Sequence, residues 1–236
     1  MFVFVWWVIA HAGFLNPALF PSPGAAFLAL LDMLRSGELI SDSIATIGRV
    51  LIGFVFGSTL AVVIGILTAR VNWVNQTVGQ LIQILRPIPP IALVPLAVVW
   101  LGLSELSKTS IIIWGVFFPV WISTHVGVSG VNKELIWAAQ SLGARNSRVL
   151  FRVVLPAALR YVISGMRVAI AIAFICVVVA EMSGALQGLG YRINASYVVF
   201  RVDRMIADLA VLGFLGALSD IGFAKLVNKT MPWYSM

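Results

Sequence analysis

The sequence predicts an all-α, polytopic bundle of about six membrane helices, forming one domain over residues 1–236. Two observations carry this. The chain is 61% hydrophobic and 11% charged, whereas soluble domains run at about 45–50% apolar and about 25% charged. A soluble globule of 236 residues has no interior large enough for that much apolar side chain. The apolar residues also fall in long blocks, separated by short polar or basic stretches.

Composition closes other routes. The net charge of +7 matches the Lys and Arg excess of cytoplasmic loops and does not call for nucleic acid. Cys176 stands alone, so neither an intrachain disulfide nor a cysteine metal site can form. His11 and His125 are far apart, which argues against a histidine-rich metal centre.

Taken in order, Phe2 to Leu15 is apolar but shorter than the roughly 20 residues a span needs. It lacks the basic leader and cleavage signature of a signal peptide. A first membrane helix, tilted or incomplete, is expected to begin there abruptly, without a cytoplasmic leader. Asn16-Pro17 and Pro21-Ser22-Pro23-Gly24 break it. A short amphipathic surface helix follows at about 24–36. The neighbouring acids Asp32, Glu38 and Asp42 suit a periplasmic position.

Val50 to Ala69 is uncharged and bracketed by Arg49 and Arg70; its roughly 20 residues match one bilayer core. Gly53 and Gly57 let another helix approach closely. Next comes Arg86-Pro87-Ile88-Pro89-Pro90, ahead of the apolar run Ile91 to Leu103. Three prolines cannot sit inside a regular helix without losing hydrogen bonds. Either the helix entry is kinked and partly unwound, or the prolines form a loop just outside the bilayer. Gly102 to Thr109 resembles a phosphate loop with Ser107 in place of the second glycine. Its position between membrane segments makes it a turn, so no nucleotide site is expected in this chain.

Ile111 to Val131 is the next span, with Pro119 as a kink. A polar island at about 133–156 separates it from Ile163 to Ala180, which closes at Glu181. Residues 183–204 are mixed and glycine-bearing, and Ile206 to Phe223 is the last span. With the island in the cytoplasm, ten basic residues lie on that side and six on the other. That bias puts both termini in the cytoplasm.

The island carries the most specific pattern. Trp137-Ala138-Ala139-x3-Gly143 is followed after nine residues by Val153-Val154-Leu155-Pro156. This resembles the Glu-Ala-Ala-x3-Gly-x9-Ile-x-Leu-Pro signature of permease subunits of ATP-binding-cassette importers. Trp137 stands at the glutamate position and Val153 at the isoleucine position. Pro21-Ser22-Pro23, Arg86 to Pro90 with Ala92 to Leu96, Trp100-Leu101-Gly102, Ser107-Lys108, Phe118-Pro119, and Ala180-Glu181 with Gly188 to Tyr191 resemble the nitrate, taurine and aliphatic sulfonate branch.

The resemblance implies a type I importer permease whose island holds a coupling helix, between the fourth and fifth spans, docked on an ATPase. The implied coupling residues are Glu134, Trp137, Ala138, Ala139, Gly143, Arg145, Arg148, Leu155 and Pro156. Small Ala138 and Ala139 would let the helix seat closely. Gly143 would permit a tight turn, and Pro156 would reset the chain direction. Arg145, Arg148 and Arg152, at i, i+3 and i+7, would share a helical face. They serve equally well as a positive-inside anchor. Glu134, three residues before Trp137, offers a carboxylate on the same face.

The implied partners are an ATP-binding-cassette ATPase dimer holding ATP and Mg, a second permease chain forming a homodimer, and a periplasmic or lipid-anchored substrate-binding protein. The implied location is the bacterial inner membrane, among its lipids. The cargo is a small anion of sulfonate, taurine or nitrate type. Candidate pathway residues are Arg86, Pro87, Pro89, Pro90 and Glu181. Arg86 reads either as a pathway cation or as an interfacial side chain reaching headgroups. Glu181 repels an anion, which favours a structural or gating role with an arginine partner. No convergent catalytic set is present, so the chain is not expected to be an enzyme. The competing class is a self-contained secondary transporter or channel.

Overall fold

A computed structural model of the chain describes residues 2–11 and 16–231, with side chains from residue 4 onward. The ordered elements among the described residues are all helical. α1 is Phe2–His11, and α2 is Pro23–Arg35, with Pro23 at its first turn. The Ser22 hydroxyl accepts from Ala25 N at 3.3 Å, a standard N-cap. α3 is Glu38–Arg70. α4 (Asn72–Leu85) and α5 (Pro90–Leu101) meet at 90°. α6 is Glu105–Ser129, α7 is Lys133–Ser141, and α8 is Asn146–Met182. α9 is Leu189–Val198, and α10 is Val202–Thr230.

Four of these, α3, α6, α8 and α10, are long and apolar enough to cross a membrane, and the bent α4–α5 pair makes a fifth. The remaining segment of the sequence count is α1, with ten helical residues. Residues 12–15 of that expected span lie outside the described residues.

The centre is a three-helix seam. α6 lies between α3 and α8, and small residues bring the backbones together. A Cβ at Gly53 would sit 2.5 Å from Ile112, one at Gly57 3.0 Å from Val116, and one at Gly65 2.7 Å from Thr124. On the other side of α6, Gly115 faces Cys176, Gly127 faces Tyr161, and Gly165 faces Ser123. Between apolar helices in lipid, such van der Waals contact is the main source of cohesion. Buried Ile112, Val116, Val120, Trp121, Ala173 and Val177 fill the seam.

The structure corrects two local expectations and decides between the two readings of the proline run. α3 begins at Glu38, well before Val50, so exposed Glu38 and buried Asp42 and Arg49 lie on the helix; burying the last two is possible because each acquires a partner. The proline run is a right-angled corner between two helices, where Trp114 Nε1 donates to the Ile88 carbonyl at 3.3 Å. Pro156 does not reset the chain direction. It lies inside the continuous α8, just after a π-helical turn over Leu150–Val154. Widening that turn relieves the clash between the proline ring and the preceding turn, so the helix carries on.

Candidate functional site

Two polar regions mark opposite ends of the seam. At one end sits the island. Asn132 caps α7, its Oδ1 accepting from Glu134 N at 2.9 Å. This also places the Glu134 carboxylate at the positive end of the helix dipole. α7 stops because Gly143 takes φ +80°, a region a side chain resists. Ala144 N donates to Ala139 O at 3.0 Å and Gly143 N to Gln140 O at 2.9 Å, the double bond of a Schellman close.

α7 has two faces. Ile136 and Ala139 pack inward on Val128, Val131, Val149, Val154 and Ala158. Leu135, Trp137 and Leu142 point outward, with Trp137 61% and Leu142 89% exposed. Ala138, Glu134, Gly143, Arg145, Arg148 and Pro156 are exposed as well, while Leu155 is half-buried. The smallness of Ala139 therefore serves contact with this chain's own body. The three arginines do not share one regular helical face. Arg145 is extended as the N-cap of α8, and the π turn intervenes between Arg148 and Arg152.

At the other end lies an ion network in which Glu181 has an arginine partner, as expected, in Arg49, together with members that the sequence did not reveal. Glu181 is fully buried. It accepts from Thr46 Oγ1 at 2.9 Å, Arg49 Nη1 at 2.7 Å and Gly190 N at 2.8 Å. Arg49 also donates to Glu105 at 2.6 and 2.9 Å and to the Gln187 carbonyl at 2.7 Å. Lys108 joins Glu105 at 3.2 Å. A second group adjoins: Asp42 accepts from Gly188 N at 2.8 Å and from Arg192, which also holds Glu38. Burial pulls the Arg192 pKa down, but the Asp42 hydrogen bond and the Asp42 and Glu38 charges more than restore it, leaving it above its ordinary value. Gly188, at φ +125°, leaves room for the Glu181 carboxylate, where a methyl group would collide. The one signal in the sequence was an arginine opening one apolar run and a glutamate closing another.

The remaining candidates lie elsewhere. Arg86, Pro87 and Pro89 are exposed at the α4–α5 corner, and Pro90 is half-buried against Gly115. The structure does not bring Arg86 together with Glu181. The phosphate-loop lookalike is the first turn of α6. Ser104 caps it, and the Lys108 ammonium is held by the Leu103 and Ser104 carbonyls. Among the described residues, no group of three or more His, Cys, Asp or Glu side chains could hold a metal ion.

Comparison with known proteins places this architecture. Residues 57–231 match the family described as binding-protein-dependent transport system inner membrane component. The chain belongs to that family. An ABC transporter permease protein of Methanocaldococcus jannaschii is 40% identical, covering 94% of this chain and 85% of its own length. The aliphatic sulfonates transport permease protein SsuC of Bacillus subtilis is 32% identical over 97% of this chain and 83% of its own. The taurine transport system permease protein TauC of Escherichia coli is 30% identical over 98% and 86%. Among solved structures, the inward-facing MetNI methionine ABC transporter superposes with a TM-score of 0.71, covering 83% of this chain and 97% of that one. At 19% identity this likeness speaks for the fold alone. The chain is thus a multi-pass ABC importer permease subunit.

Proposed function

We propose that this permease carries a small oxyanion of the sulfonate, taurine or nitrate type, driven by ATPase subunits that grip the α7 island. The observation that carries the reading is the α7 surface. Leu135, Trp137 and Leu142 are exposed beside Arg145, Arg148 and Arg152, at the end of the bundle opposite the buried ion network. A capped, closed helix with large apolar side chains facing outward suits a docking surface, since Trp and Arg are favoured anchors at interfaces. The relatives named for aliphatic sulfonates and taurine support the solute class.

In this reading ATP and Mg are held by a separate ATPase dimer. Its closure pushes α7, and α8 receives the push through the four residues 142–145. Two copies of the permease, as a homodimer, enclose the path. A periplasmic or lipid-anchored binding protein delivers the solute, and the bundle switches between inward- and outward-facing states. The chain lies in the inner membrane with both termini in the cytoplasm, so the α7 end is the cytoplasmic one. Residues Glu134, Trp137, Ala138, Gly143, Arg145, Arg148, Leu155 and Pro156 form or support the docking surface. This chain makes and breaks no covalent bond itself.

The test is reconstitution in liposomes with the ATPase and binding protein, following uptake of taurine, a short alkanesulfonate and nitrate. ATP-dependent uptake of one of these is expected, with co-purification of the ATPase in mild detergent. A chain that stays alone and transports without ATP is a secondary transporter or channel, and the proposal fails.

A further inference from the structure

Charged residues on three of the long helices mark two levels. Arg49, Glu181 and Arg204 mark one, and Arg70, Arg160 and Lys225 the other. Along α3, α8 and α10 the two levels are about 21 residues apart, or roughly 31 Å, the thickness of a bilayer core. One ion pair lies between them. Arg167 of α8 donates to Asp220 of α10 through Nε and Nη2, both at 2.7 Å. The pair sits about 7–10 Å inside the level marked by Arg160 and Lys225.

This pair is not sealed in the protein. The Arg167 and Asp220 side chains are 46% and 34% exposed, unlike fully buried Glu181. Charges so exposed at this depth are too costly against lipid tails and belong on a wet or protein-covered face. They open into a groove of about 690 Å³ between α8 and α10, lined by Ile170, Phe174, Leu212 and Gly216. The groove therefore pairs one guanidinium fork with an apolar wall.

From this geometry we infer that the α8–α10 groove is a transit site for the solute, in which Arg167 takes the oxyanion and the apolar wall takes its hydrocarbon part. Asp220 holds the fork until the solute arrives, its two oxygens standing where two sulfonate oxygens would bind. A planar fork that meets two oxygens at once suits such a head group. Asp220, partly exposed, turns to water when displaced and returns when the solute leaves. That exchange keeps the hold weak enough for release. The inference rests on the solute class proposed above.

Two measurements test it on the assembled transporter in liposomes. Ala171→Cys and Ala217→Cys place thiols in the groove, whereas native Cys176 is buried. A charged, membrane-impermeant thiosulfonate is expected to label both, and excess butanesulfonate to slow that labelling. No labelling means that lipid or a second copy covers the groove, and overturns the site. The neutral pair Arg167→Gln with Asp220→Asn keeps hydrogen bonding across the helices and removes the charge. Butanesulfonate uptake is expected to fall on the order of tenfold or more, with assembly on the ATPase unchanged by size-exclusion chromatography. Uptake by the neutral pair at the wild-type rate makes the pair purely structural and overturns the site alone. Absence of uptake by the wild-type chain overturns the solute class, and the site with it.

Discussion

The two ends of the seam use the same residue types in opposite ways. At the Glu181 end, Arg49 and Glu181 are buried, and Arg49 of α3 bridges Glu181 of α8 to the more exposed Glu105 of α6. At the α7 end, Arg145, Arg148 and Arg152 are exposed beside an equally exposed Trp137. One end ties three helices together within the chain, although both oxygens of buried Asp208, beside Arg192 and Asp42, have no hydrogen-bond partner among the described residues. The other is a finished surface whose large side chains stand mostly exposed among the described residues. Satisfied polar networks specify and stiffen a fold, whereas exposed aromatic and arginine side chains are what a partner binds.

This contrast is broken most severely at Glu181. Glu181→Ala takes the acceptor from Thr46 Oγ1, Gly190 N and an Arg49 N–H, while Glu105 still pairs Arg49; each buried donor left unsatisfied costs about 1–3 kcal/mol. The thermal midpoint in detergent is expected to fall sharply, and Glu181→Gln to recover part of the loss. An unchanged midpoint would mean that this end does not hold the helices together. Trp137→Ala is the mirror experiment. Its midpoint is expected to stay at the wild-type value while affinity for the ATPase weakens by about 2–4 kcal/mol, as for a central anchor. If the midpoint falls with affinity unchanged, the two ends do not differ in kind.

Gly143→Ala tests how firmly the surface is formed. Forcing a side chain into the left-handed region costs about 1–2 kcal/mol. Limited proteolysis is expected to cut faster around 141–146, with little change in the midpoint. The smallest effect is expected from Arg148→Ala with Arg152→Ala. Exposed charges contribute about 1 kcal/mol or less each to association, and added salt screens that contribution. A salt-independent loss would mean that these arginines make close, desolvated contacts.

The seam was largely legible in the sequence because helix length and small-residue spacing are local properties. Gly53 and Gly57 announced a close approach, and Ile112 and Val116 are what approaches. The turn at Gly143 was legible for the same reason, since glycine tolerates a conformation that other residues avoid. For Glu181 an arginine partner was legible, but not which arginine. Arg49 lies 132 positions away in sequence, and no periodicity links them; only the folded seam brings α3 and α8 level. Pro156 misled in a different way. A proline reads as a break, but a single wide turn absorbs it, and that turn is set by backbone packing and not by residue type. Ala139 shows the same limit. Its size was evident, but which way it faced depended on where α7 landed.

The uninterrupted length of α8 has a mechanical consequence. Its 37 residues make a rod of about 55 Å at the helical rise, running from the α7 linkage to Glu181. The far end is pinned by the hydrogen bonds of Glu181 to α3 and to Gly190. Under the proposed coupling, a rod pushed at its α7 end and held at the other pivots; it does not slide. A displacement of about 5 Å at α7 becomes a tilt of about 5° over that length. In that reading the helix is a lever with its fulcrum at the ion network, and points along it would move in proportion to their distance from Glu181.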